Sequence, residues 1–157
     1  MNLKSHRMFV LIVMVILLVM GLLWYQLNWN RKVNGETLGY WHQIRVDGFS
    51  TLRKELRPVS EMAKGDLPFD AAKVEEQSIQ VFAIAQTLPS RFIANAPSGD
   101  ALPGIWAKGS DFNERLARFV EQTQALSEKP PSDYQQLRLA IDQLQTHCSE
   151  CHKLYRD

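Results

Sequence analysis

Cys148-Ser149-Glu150-Cys151-His152, near the carboxyl end of the 157-residue sequence, has the types and spacing for a definite chemistry. It reads C-x-x-C-H, the arrangement through which a c-type haem is attached. Two thiols three residues apart on a helix share a face, so both can add across the vinyl groups along one side of a porphyrin. His152 follows at once, which lets its imidazole reach the iron from the same helix. Three plainer readings compete for these residues. A thioredoxin-like redox pair belongs beside a βαβ unit, at the start of a helix, and no such unit is visible. Zinc needs further ligands at suitable spacing, which His6, His42 and His147 do not supply. A disulfide at i, i+3 in one continuous helix distorts the turn. The reading adopted is one haem c, held covalently through Cys148 and Cys151.

The motif needs a helix to carry it, and the pattern provides one. Leu137, Ile141, Leu144, Cys148, Cys151 and Tyr155 recur at steps of three and four, so both cysteines are expected on the buried seam of a last helix. Ser132 with Gln135 three residues later reads as its capping box. Three earlier segments show the same period. Leu38, Trp41, Arg45, Phe49, Leu52, Leu56 and Val59 form one stripe, which Pro58 is expected to kink or end early and Gly65 to cap. Asp70 opens a second, with Val74, Ser78, Val81, Ala85 and Leu88 on one side and Pro89 as its stop. Ser110 or Asp111 starts a third, with Phe112, Leu116, Phe119, Thr123 and Leu126. Between them, 90–109 contains two Pro and three Gly and reads as loop, with a helical turn around Trp106. No strand or hairpin pattern competes. The expected fold is all-α: an antiparallel four-helix bundle over 38–157.

Met8 to Leu23 form sixteen residues without a charge, extended by Trp24 and Tyr25. Eighteen helical residues cover about 27 Å against roughly 30 Å of bilayer hydrocarbon. Lys4, Arg7 and the terminal amine precede the run, which leaves residues 1–7 in the cytoplasm, 8–25 across the inner membrane and the remainder exported to the periplasm. Arg31 and Lys32 on the far side pull against that orientation. Trp24-Tyr25-Gln26-Leu27-Asn28-Trp29 contains no small-x-small cleavage site, so an uncleaved anchor is preferred to a removed signal peptide. Residues 26–37 are polar and serve as a linker. Length excludes two large domains, and two cysteines exclude a multi-disulfide framework. The formal charge of +1, and of −2 over 38–157 from 14 basic against 16 acidic residues, offers no field for nucleic acid.

A haem motif on the last helix of a bundle, together with Arg45-x-x-x-Phe49, Lys64-Gly65-Asp66-x-Pro68-Phe69-Asp70, Leu88-Pro89-x-x-Phe92, Ile105-Trp106 before Phe112, and Cys151-His152-x-x-Tyr155-Arg156, resembles the cytochrome c′ family, the class II c-type cytochromes. The resemblance covers about Leu38 to Asp157. It implies a bundle, often dimeric, with His152 as proximal ligand and the residue four after Arg45 on the distal side of the haem. That residue is Phe49, where relatives with a six-coordinate iron have Met, and a phenyl ring cannot coordinate. Met62 lies about 20 Å further along an ideal helix, and His42 about 10 Å before Phe49, towards the haem edge or solvent. His147 shares the helix of His152.

A five-coordinate, high-spin ferrous iron is therefore expected, in an apolar pocket suited to nitric oxide or carbon monoxide. Arg156 matches a family position beside the proximal histidine. Arg45 is costly to bury unpaired, with a haem propionate or a solvated rim as its alternatives. Trp106 and Phe112 border the macrocycle or are ordinary core, and Gly48 relieves crowding beside the haem or falls there by chance. The expected function is NO buffering or sensing by a haem protein that is not an enzyme. An electron carrier serving respiratory membrane partners is the alternative.

Overall fold

The computed structural model describes residues 3–107 and 109–157, with side chains from residue 6 onward except that of residue 28. The first two residues with the terminal amine, and the Lys4 side chain expected at the cytoplasmic flank, lie outside the described residues. Helix α1, Leu3–Asn28, is about 39 Å long at 1.5 Å per residue. Its His6–Leu27 stretch is long and apolar enough to cross a membrane. Every side chain from His6 to Leu27 is exposed, so no face of the helix is covered by the rest of the chain.

Between α1 and the bundle, the linker contains a small hairpin. Strands β1, Lys32–Val33, and β2, Glu36–Thr37, pair antiparallel around Asn34 and Gly35, whose φ angles of 52° and 86° are those of a tight two-residue hairpin. Two-residue strands are too short to show alternation, so only the Asn-Gly pair could have signalled them. The hairpin is bonded to the bundle: Leu38 N–H donates to Arg31 O at 2.8 Å, Gly39 N–H to Trp29 O at 3.0 Å and Trp41 Nε1 to Val33 O at 2.9 Å.

The bundle consists of α2 (Leu38–Lys64), α3 (Ala71–Ala85), α5 (Gly109–Glu128) and α6 (Tyr134–Tyr155), with the one-turn α4 (Gly104–Ala107) in the long connection. Each long helix packs on two neighbours, α2 on α3 and α6, and α5 on α3 and α6. The Thr37 side chain accepts from Tyr40 N–H to start α2, and Asp70 accepts from Lys73 N–H to start α3. Gly65 ends α2 in the left-handed region at φ 84°. Pro58 neither ends nor shortens α2, which continues through it to Lys64. Val59, Met62 and Ala63 beyond it are buried, and that packing outweighs one missing backbone bond. The N-cap of α6 is Asp133, not Ser132: its carboxylate accepts from Gln136 N–H at 2.9 Å and from Gln136 Nε2 at 2.8 Å, a one-residue shift of the expected box. Helix α5 likewise begins at Gly109, one residue before Ser110 and two before Asp111. The 3₁₀ turn Pro89–Phe92 and α4 punctuate an otherwise irregular connection.

Val74, Val81, Ala85, Leu88, Leu137, Ile141 and Leu144 form the centre of the main core. A second cluster, Leu38, Trp41, Ala94 and Ala96 with Val33 and Ile44, seals the hairpin end. There Gly99 (φ 58°) lies against His42, where a Cβ would come within 2.1 Å of Nδ1. His42 also packs on the Trp29 ring, 5.1 Å between centroids, and so belongs to the hairpin junction rather than to a haem edge.

Leu137 is 1% exposed and Leu139, on the same helix, 60%. Leu137→Ala should cost about 2–5 kcal/mol of unfolding free energy, and Leu139→Ala no more than about 0.5 kcal/mol, as read from denaturant midpoints.

Candidate functional site

The last turns of α6 carry the residues with the distinctive chemistry, and there the seam opens. Leu137, Ile141 and Leu144 are fully buried, whereas Cys148 and Cys151 are half-buried against the core and His152 is exposed. The expectation of two buried cysteines is corrected accordingly. A seam closed over both sulfurs would leave no path for a group to reach them. Neither cysteine is in a disulfide, and burial raises the pKa of each thiol above its ordinary value before any group is attached. The His152 pKa is lowered, first by the partial desolvation of its otherwise exposed ring and then by the charges of Arg156 and Arg53, so the neutral imidazole with a free ring-nitrogen lone pair is favoured.

From α6 to α2 runs a row of rings. Tyr155 meets Phe112 edge-on at 5.2 Å between centroids, Phe112 meets Phe92 at 4.8 Å, and Phe92 meets Phe49 at 6.2 Å. Trp106 joins them by donating Nε1–H to Phe92 O at 3.0 Å, which leaves its ring as an apolar wall. Phe49 is only half-buried. Phe92 stands in the middle of the row, although its sequence signal was no more than a place in a loop motif.

Arg45 is 5% exposed, so neither a solvated rim nor open water accounts for it. Its Nη2 donates to Ala96 O at 3.0 Å and to Ser98 Oγ at 2.6 Å, while Ser98 Oγ donates to Leu38 O at 3.1 Å. Its Cζ lies 5.7 Å from both the Phe92 and Trp106 ring centroids. Nη1 is buried without a partner. Gly48 serves a different neighbour from the one expected: a Cβ there would meet Arg91 Nε at 2.7 Å, and Arg91 Nη1 donates to Ile44 O. Arg156 is engaged by Asp100, Nη2 to Oδ2 at 2.8 Å, at the exposed end of α6. Met62 is buried in the core.

Sequence reasoning missed a polar cluster beside the cysteines. Asp111 Oδ2 accepts from Tyr155 Oη at 2.5 Å and from Arg115 Nε at 2.8 Å, and Arg115 Nη1 lies 3.6 Å from Glu150 Oε2. The Asp111–Arg115 spacing of four was the available signal. Among the described residues, no group of three or more His, Cys, Asp or Glu side chains is placed to hold a metal ion. Two unbridged cysteine sulfurs on one face, a neutral imidazole beside them, a row of rings and an unpartnered guanidinium N–H suit a flat, apolar macrocycle with acidic edges.

Comparison with known proteins points the same way. The profile of the family described as Cytochrome C′ matches residues 41–156. The chain is similar to cytochrome c-556 of Agrobacterium fabrum, 29% identical over 99 residues that cover 62% of this chain and 68% of the relative. It is also similar to cytochrome c′ of Cereibacter sphaeroides, 27% identical over 120 residues, covering 73% and 80%. The solved cytochrome c prime of Shewanella frigidimarina superposes with a TM-score of 0.71 at 28% identity, over 79% of this chain and 99% of that one.

The Asp111 carboxyl is held below the ordinary aspartate range, chiefly by the Arg115 hydrogen bond and next by that from Tyr155. A depressed carboxylate stabilises the fold above its unfolded pKa of about 3.9, and the contribution is lost as pH falls through the lower native value. The melting-temperature gap between the parent and Asp111→Asn should therefore be constant well above the unfolded pKa of about 3.9 and narrow as the pH falls below it.

Proposed function

The chain belongs to the cytochrome c′ family and carries haem c covalently on Cys148 and Cys151, and from that premise we propose a membrane-anchored cytochrome whose five-coordinate iron binds nitric oxide or carbon monoxide. In this reading His152 is the proximal ligand, and the side across the haem is walled by Phe49 with Phe92 and Trp106. The observation that carries it is Phe49: its ring offers carbon alone, and its neighbour in the row is another phenylalanine. Bound dioxygen and anions need hydrogen-bond donors or charge, which such a wall lacks, whereas nitric oxide and carbon monoxide need little of either.

Each remaining residue has a role in the proposal. Arg45 Nη1, buried and unpartnered, would donate to a haem propionate. Arg156, already lowering the pKa of His152, would tune the iron through the imidazole. Helix α1 would hold the haem domain, residues 38–157, at the periplasmic face of the inner membrane, with residues 1–7 in the cytoplasm. The hairpin that follows α1 supports a fixed attachment rather than a loose tether, because three hydrogen bonds join the junction to α2.

Pyridine-haemochrome and ferrous absorption spectra, with and without carbon monoxide, test the reading. A high-spin ferrous spectrum that shifts on adding carbon monoxide is expected. A low-spin ferrous spectrum indifferent to the gas would instead indicate the electron carrier. Phe49→Met should install a sixth ligand and weaken carbon monoxide binding by roughly tenfold if the thioether occupies the iron nine-tenths of the time.

A further inference from the structure

We propose that Asp111 is a positioning residue for the haem-attachment turn: through Tyr155 it fixes the rotation of α6 about its own axis, and through Arg115 it extends that hold to Glu150 between the two cysteines. The proposal rests on haem attachment at Cys148 and Cys151, and on His152 as the iron's ligand.

Cys148, Cys151 and Tyr155 stand at i, i+3 and i+7, one face of a helix, so whatever fixes the direction of Tyr155 fixes that of both sulfurs. One residue of helical rotation is about 100°, enough to turn the thiols off the row of rings. Tyr155 is 6% exposed and sits edge-on against Phe112, a packing that leaves its hydroxyl in need of an acceptor. Asp111, one residue before Phe112 on α5, supplies it. The same carboxylate oxygen takes Arg115 Nε–H, and the other arm of Arg115 reaches Glu150. Two helices are thus joined by side chains within the C-x-x-C-H turn, at Glu150, and just after it, at Tyr155. The other side-chain hydrogen bond between α5 and α6, Gln122 to Gln143, lies more than a turn before the first cysteine.

The backbone holds a different quantity. Leu102 N–H donates to Tyr155 O at 3.1 Å and Asp157 N–H to Asp100 O at 3.0 Å, which fixes where the chain leaves α6. These bonds lie past the attachment turn. Core packing of Leu137, Ile141 and Leu144 sets the seam as a whole, and among the described residues the Asp111 cluster is the side-chain network between α5 and α6 nearest the cysteines. Glu150 is 57% exposed in its side chain and Arg115 26%, so the Arg115–Glu150 contact assists, and Tyr155–Asp111 is the primary link.

The test uses the full-length, haem-loaded protein in detergent, with Tyr155→Phe, Asp111→Ala, their double variant, Asp111→Glu as the conservative variant and Glu76→Gln as a remote ion-pair control. Ferrous resonance Raman reads the iron–imidazole stretch, and hydrogen exchange reads the amides of 148–155. Tyr155→Phe and Asp111→Ala should each shift and broaden the stretch and reduce protection of those amides roughly tenfold, the scale of one lost charge-assisted hydrogen bond. The double variant should be no worse than Asp111→Ala alone, because that variant already removes the link that Tyr155→Phe breaks. Asp111→Glu should recover part of the signal, and Glu76→Gln should match the parent. A stretch unchanged from the parent in both single variants, or protection lost equally from α2 and α3, overturns the positioning role while leaving haem attachment intact. A parent without covalent haem or without an iron–imidazole band would instead overturn the premise itself.

Discussion

A guanidinium taken almost wholly out of water imposes the constraint on which the upper half of this molecule depends. Arg45 lies mid-stripe on α2, and a charge in that position is tolerated only with hydrogen bonds and polarisable neighbours. It obtains the bonds from Ala96 and Ser98, and the neighbours from the faces of Phe92 and Trp106. Serving Arg45 orders the loop of residues 94–98, and Ser98 passes the order back to α2 through the carbonyl of Leu38. The second core cluster closes over the same loop. One buried cation thus links the wall of the candidate site to the end of the bundle that receives the apolar helix.

This arrangement gives the two ends of the bundle different characters. At the hairpin end, Trp29, His42 and Gly99 pack closely and the chain enters α2 through backbone hydrogen bonds. At the other side of Arg45, the contacts beside Phe49 are ring against ring. In the proposed reading, aromatic carbon would face one side of the bound group and the neutral imidazole of His152 the other. Charge stands at the edges, as the free Nη1 of Arg45, the Arg156–Asp100 pair and the Arg53 charge felt by His152.

The α6 seam shows how one period can serve both stability and reactivity. Steps of three and four place Leu137, Ile141 and Leu144 in the core and continue to Cys148 and Cys151 without a break. Only the depth changes along the helix, from full burial to half-burial, and with it the role of the side chain. The same stripe could not have remained closed and still received a prosthetic group.

Local signals carried much of this. The haem motif, four helical stripes, the apolar run, the caps at Gly65 and Asp70 and the turn at Trp106 were all legible because each is set by neighbours within a few residues, where period, cap chemistry and turn sterics act. Where two local rules competed, only packing resolved them: Pro58 reads as a break, yet the buried Val59, Met62 and Ala63 carry α2 through it, and Asp133 took the cap from Ser132. The partners of Arg45, the Arg91 side chain over Gly48 and the bond from Tyr155 to Asp111 join residues 43 to 53 positions apart, and no spacing rule spans such distances. The sequence by itself determined which residues could do chemistry and on which helix faces they lie. The tertiary structure alone decided how deeply each face is buried and which distant groups satisfy its polar atoms, because desolvation and hydrogen-bond partners are set by what folds against a surface.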